Sequence, residues 1–322
     1  MKRLTKKTVR IAFLLCLSGL LIVLVSFLAV GFDMTKLSTV AFETNTQEIN
    51  EAFTDIAIET KTADVSFVLW EEEGCKVVCR EEAWMKHTAA VQNDTLVITV
   101  TDTRKWYDHI GMSFEDAEMT IYLPKTQYGE LEIKSDTGAV EVPEVFEFET
   151  ATVETDTGDV DWQAAVARNL TIETDTGAVN VDTDKLEKLE VKTSTGDVSV
   201  NSVRNALTVS VETNTGATRL NNMRCRIFAV RSDTGEIRMK DTVAGFNGTV
   251  ISQTGDVTLE DSDAVESLYI KTDTGDVTGT LLSGKQFQTE TDTGNVDVPA
   301  TNGYPCVIIT DTGDIDIEVI GK

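Results

Sequence analysis

At a regular interval of 19 or 20 residues, a Thr-Gly step recurs ten times in this chain, at Thr137, Thr157, Thr176, Thr195, Thr215, Thr234, Thr254, Thr274, Thr293 and Thr312. Self-similarity at so short a fixed period is the mark of a solenoid, in which each unit is one turn of chain stacked on the last. Around each step, apolar residues alternate with polar ones. The third residue counted from Gly is Val or Ile in nine copies, Thr218 being the exception. Four residues before the Thr stands Val or Ile, with Thr289 the exception, and six before stands most often Leu, Val or Phe. Period two on both sides of the step predicts two strands, each with one buried face.

The Gly between them predicts a corner at positive φ, which a residue without a Cβ adopts freely. Each coil therefore reads strand, Thr-Gly corner, strand and a variable arc, the arc carrying one apolar anchor such as Val166, Leu186, Val203, Met223, Val243, Val265 or Leu282. A single coil cannot bury its inner face, so coils must stack, each on its neighbours. Paired in parallel at about 4.8 Å, ten coils give a rod of roughly 50 Å.

Two positions in the repeat are polar by rule. The residue two before the repeat Thr is Ser or Thr in every copy, from Ser135 and Thr155 through Thr310. Parity puts it on the inner face, where stacked hydroxyls would satisfy one another along the ladder. The residue just before the Thr points outward and is Asp in seven copies: Asp136, Asp156, Asp175, Asp233, Asp273, Asp292 and Asp311. With the acids that follow Gly, such as Asp159, Asp197, Asp256, Asp276 and Asp314, these predict a carboxylate stripe along one edge.

Charge narrows the partners. The 322 residues carry a net charge of −26, and five of the 28 cations sit in the first ten residues, so the rest is more acidic still. Such a body repels nucleic acid and anionic lipid. The pattern of five Cys is not a disulfide framework: Cys75 and Cys79 on one strand are too far apart to bridge, and pairing among the four Cys outside the apolar segment stays open. They read as small apolar residues. Zinc is not expected, because only His87 and His109 are available and no tight cluster of ligands stands out in the sequence.

Taken in order, residues 1–10 form a basic cytoplasmic tail and Ile11–Phe32 is an uncharged run of 22 residues. As a helix it would span about 33 Å, enough for a bilayer core, with the flanking cations holding the N-terminus inside. A cleaved signal peptide is the competing reading, with Ala29-Val30-Gly31 as its cleavage site. Residues 33–50 read as a linker. Residues 51–130 break the period: Ile56–Val65 is a degenerate repeat with Ala63 in place of Gly, and longer alternating runs follow, separated by turn signals at Glu73-Gly74 and Asn93-Asp94. These predict antiparallel strands capping the solenoid of residues 131–322. The cationic and aromatic stretch Arg104–Phe114 interrupts them and reads as a loop packed on the cap or touching glycan or headgroups. No C-terminal cap is visible.

Catalysis finds little footing. Asp-Thr-Gly is the tripeptide of aspartic proteases, but those bring two copies together to share one proton, whereas here seven recur at the solenoid period. Glycan lyases and hydrolases use parallel β-helices, yet the only dense basic run is Arg224, Arg226, Arg231 and Arg238. Stacked Asp could in principle hold calcium, but the glycine-rich nonapeptide of calcium-binding β-rolls is absent. No catalytic, cofactor-binding or metal-ligating residue is assigned, and no cofactor.

The strand-Thr-Gly-Asp-Val repeat, preceded by an apolar anchor and an irregular β region ending near Leu123-Pro124-Lys125, resembles the bacterial "putative adhesin" β-strand-repeat family, including LiaG-like membrane-anchored proteins encoded with envelope-stress systems. The resemblance covers roughly residues 50 to 320. It implies a single-stranded, right-handed parallel β-helix and a surface or envelope role, and it transfers no catalytic residue. The expectation is an all-β solenoid with an N-terminal β cap and a single-pass transmembrane helix, its body extracytoplasmic. The function expected is a non-enzymatic structural, adhesin-like or interaction module, its partners the membrane and an envelope protein or glycan. An accessory of an envelope-stress system and a glycan-active enzyme are the alternatives.

Overall fold

A computed structural model describes residues 6–29, 31, 40–105 and 115–321. The helix Lys6–Ala29 comes first. Twelve of its large apolar side chains, from Ile11 to Leu28, are more than half exposed. From Ile11 to Ala29 it is long and apolar enough to cross a membrane.

The body is the predicted solenoid. A representative coil runs as the strand Lys188–Thr195, the Gly196-Asp197 corner and the strand Val198–Asn201. Leu189, Val191 and Thr193 face inward and are buried, as alternation requires. The next coil lies parallel and in step, with Leu189 opposite Val209, Val191 opposite Val211 and Thr195 opposite Thr215. The short strands form a second parallel sheet, pairing Val198 with Thr218 and Val200 with Leu220. Between the two sheets lies one continuous apolar core. Of the arc anchors, Val166, Leu186, Val203 and Met223 are buried, whereas Val265 is 42% exposed.

The stacking order departs from chain order at both ends. Thr274 pairs with Thr312, and Thr312 pairs in turn with Thr293. The last coil therefore inserts between the two that precede it. The coil of strands Lys285–Thr293 and Val296–Asp297 is left at the outer end, where Val296 is 44% exposed. Lys285, which starts this end coil, is fully buried and lies 2.6 Å from Asp263 of an inner arc.

At the other end, Asp55–Thr60 and Ala63–Leu69 form the degenerate coil and stack in parallel on the first Thr-Gly coil, with Ile56 opposite Leu131 and Thr60 opposite Ser135. Beyond it lies a further parallel coil made of Thr95–Asp102 and Ala117–Leu123. The antiparallel part of the cap is narrower than residues 51–130. It comprises Cys75–Glu82 against Ala117–Leu123, Met85–Gln92 against Thr95–Asp102, and Phe42–Ile49 against Cys75–Glu82. Residues 42–49, expected as linker, are thus a strand of the cap. Aromatics fill this end: Phe148 packs 5.9 Å from the fully buried Trp162, and Phe67 sits 6.1 Å from Phe146.

Candidate functional site

The recurring surface feature is the row of corners, and three contacts build it. The first is steric. A Cβ on Gly177 would overlap the carbonyl of Gly158, and one on Gly196 would overlap that of Gly177. Eight of the ten corner glycines also have positive φ, for instance 154° at Gly196 and 147° at Gly255. Gly158 and Gly177 lie outside that range, so close approach of stacked backbones is the requirement common to all.

The second contact uses the inner hydroxyls. The expected ladder of hydroxyls bonded to one another is not what forms. Instead the Thr193 hydroxyl donates to the Gly177 carbonyl at 3.4 Å, Thr272 to Gly255 at 3.3 Å and Thr310 to Gly275 at 3.1 Å. The Thr155, Ser232 and Ser252 hydroxyls are buried without a partner.

The third contact engages half of the acidic stripe. The carboxylate after Gly accepts the backbone N–H of the next coil's corner: Asp159 from Ala178 at 2.7 Å, Asp197 from Ala217 at 2.8 Å and Asp256 from Asp276 at 2.9 Å. The Ala217 amide first, and then Arg219, hold the Asp197 carboxyl below its usual pKa. These carboxylates are structural clamps between coils. The Asp residues before the Thr are the outward-facing half, and Asp156 and Asp175 line a shallow groove with Glu154, Glu173 and Glu212. Its one cation, Lys192, pairs with Glu190 at 2.8 Å and Glu173 at 3.0 Å.

The basic run does not converge on one point. Arg238 pairs with Glu236 and Glu260, while Arg226 lies over the Phe246 ring at 4.3 Å. Arg224 donates to the carbonyls of Met223 and Asp241. In the interrupting stretch, Arg104 pairs with Asp102 at 2.6 Å and its hydrogen bonds pull that carboxyl down to about 2. Residues 106–114 of that stretch, His109 among them, lie outside the described residues.

Cys75, Cys79, Cys225 and Cys306 are free and buried, and burial pushes each thiol up to about 12. No cluster of metal ligands was expected, yet the cap brings Cys79, Glu81 and His87 together, all buried. Alternation puts Cys79 and Glu81 on one face of their strand. His87 arrives because the chain crosses from one sheet to the other at Ala83-Trp84. The parity was readable in advance, but the crossing carries no distinctive residue.

A family model described as Toastrack DUF4097 matches residues 53–204 and again 182–319. No curated protein matches the chain. Among solved structures it is similar to a "putative adhesin" from Bacteroides fragilis, at 15% identity over 86% of this chain and 97% of that one, TM-score 0.34. A "putative adhesin" from Parabacteroides distasonis matches at 10% identity over 87% and 98%, TM-score 0.42. A "putative lipid binding protein" from the same species matches at 11% identity over 87% and 98%, TM-score 0.31.

Proposed function

The chain belongs to the Toastrack DUF4097 family, and from that premise we propose that it is a membrane-anchored, extracytoplasmic interaction module of the bacterial envelope, adhesin-like and non-catalytic. The observation that carries the reading is the join between two incompatible surfaces. An apolar helix, exposed over most of its length from Ile11 to Ala29, precedes in the sequence a rod whose outer faces are lined with charge. The first surface needs lipid and the second needs water. The cations at Lys2, Arg3, Lys6, Lys7 and Arg10 favour the cytoplasmic side for the tail, which supports an extracytoplasmic rod.

The rod suits contact more than chemistry. Its corner carboxylates are engaged by backbone amides, which leaves them poor candidates for proton transfer. Its long outward faces repeat at the coil spacing and would meet a repetitive or extended partner at several points at once. The test is cross-linking of intact cells with a membrane-impermeant reagent. A discrete adduct with an envelope protein or glycan, lost when the outward residues Asp156 and Asp175 are changed to Lys, is the expected result. Absence of any adduct from a rod present at the surface would overturn the interaction role.

A further inference from the structure

We propose that Cys79, Glu81 and His87 form a binding site for a thiophilic divalent cation, zinc by its donor set, which closes the N-terminal end of the rod. The Cys79 sulfur, a Glu81 carboxylate oxygen and a His87 ring nitrogen all lie within 4.8 Å of one another. The three residues are 0%, 1% and 2% exposed. Tetrahedral zinc, with bonds of about 2.0–2.3 Å, holds its donors about 3.5 Å apart, so small side-chain adjustments would seat it.

The strongest pointer is an unpaired atom. Glu81 Oε2 accepts the His87 backbone N–H at 2.7 Å and lies 2.8 Å from His87 Nδ1. Glu81 Oε1 is buried and has no hydrogen-bond partner. The Lys86 ammonium is 3.8 Å from it, on a side chain 34% exposed that also pairs with Glu43. A buried carboxylate oxygen left without a hydrogen bond is costly. A divalent cation would remove that cost, because a thiolate, a carboxylate and a neutral imidazole together balance its two charges.

The imidazole is already oriented for the role. Its Nε2 lies 2.9 Å from the Thr60 hydroxyl, which can accept the ring N–H; in that tautomer Nδ1 carries no proton, gives up its contact with Glu81 Oε2 and turns its lone pair to the cation. Thr60 pairs with Ser135 and so continues the inner hydroxyl ladder into the degenerate coil. The cation would join the strand Cys75–Glu82 of one sheet to the strand Met85–Gln92 of the other at the end of that ladder. Sulfur in the donor set selects zinc over calcium and magnesium. Binding exchanges the thiol proton for the metal, forming a sulfur–metal bond and releasing one proton to solvent.

The experiment uses the full chain in detergent, stripped of metal and then given zinc or cobalt(II) alone. One zinc per chain should survive gel filtration. Cobalt should produce a near-ultraviolet thiolate-to-metal charge-transfer band, which the oxygen-only acidic stripe cannot give. Cys79→Ser should abolish both while melting as the metal-free parent does, and Asp256→Asn should change neither. A chain in which Cys75, Cys225 and Cys306 are replaced by Ser, so that Cys79 is the one buried thiol left, should keep the band. That chain reports even if Cys79→Ser does not fold. No retained metal, or a cobalt band that persists in Cys79→Ser or is missing from the Cys79-only chain, would overturn the proposal.

Discussion

Gly177→Ala isolates the close approach of stacked corners from backbone conformation. Gly177 lies outside the left-handed φ range, so an Ala there is not strained by its own backbone. Its Cβ would nevertheless run into the Gly158 carbonyl. To make room, the coils must part where Gly158 N–H meets Thr176 at 2.9 Å, Val160 N–H meets Ala178 at 2.9 Å and Ala178 N–H meets Asp159 at 2.7 Å. Weakening two such bonds at about 1 kcal/mol each, with overpacking of about 1–3 kcal/mol, gives a loss of roughly 3–5 kcal/mol. Asp197→Ala removes a different contact at an equivalent corner. It forfeits the Ala217 amide bond and an exposed pair with Arg219, for a loss of about 1 kcal/mol. Urea unfolding of the full chain in detergent, followed by circular dichroism, ranks the two by midpoint at a common slope. Gly196→Val, strained in φ as well as crowded, should fall below both. A Gly177→Ala midpoint no lower than that of Asp197→Ala would refute the packing argument.

Acid should loosen the body in a defined window. Asp102 is held at about 2 against an ordinary 3.8, chiefly by its hydrogen bonds to Arg104, so the stability it adds is full above about pH 4 and fades toward pH 2. Asp197 shifts the same way; the urea midpoint should fall across that window, and Asp102→Asn should flatten the fall, whereas equal slopes would contradict the assignment. Coil order can be read by disulfides. Asp273→Cys with Asp311→Cys places partners on adjacent strands about 4.8 Å apart and should cross-link, while Asp273→Cys with Asp292→Cys spans about 10 Å and should not. The reverse result would restore chain order. On the acidic edge, Asp156→Asn with Asp175→Asn should stabilise the protein in low salt, since neighbouring carboxylates about 5 Å apart repel by about 0.8 kcal/mol before screening. Asp256→Asn with Asp276→Asn should stay near the parent because the amide oxygen still accepts the neighbouring N–H. A calcium-specific rise in melting temperature would contradict this account of the stripe.

The coil itself was legible because it is local. Leu189, Val191 and Thr193 alternate inward whatever their neighbour, and Gly196 marks the corner in the sequence as plainly as in the fold. Stacking order is not local. The strand ending at Thr274 offers nearly the same edge to the strand ending at Thr293 as to the one ending at Thr312, so spacing alone could not choose between them. Hydroxyl partners were missed for a related reason. Parity places Thr193 inside but does not say that the Gly177 carbonyl comes nearer than the next hydroxyl. The cap was least legible, since Phe42–Ile49 carries almost no apolar alternation and becomes a strand only because Cys75–Glu82 offers it an open edge. Cys79 and His87 meet across a change of sheet that no repeat announces.

The central claim, a rod held outside the cell by one uncleaved helix, is tested most directly by protease accessibility. Cells with their walls removed are treated with an external protease, and the protected fragment is identified by mass. The body, residues 40–321, should be digested while a fragment containing the basic tail and the helix from Lys6 to Ala29 survives in the membrane. A body that resists external protease until the membrane is opened, or a chain that leaves the membrane without its first 30 residues, would contradict it.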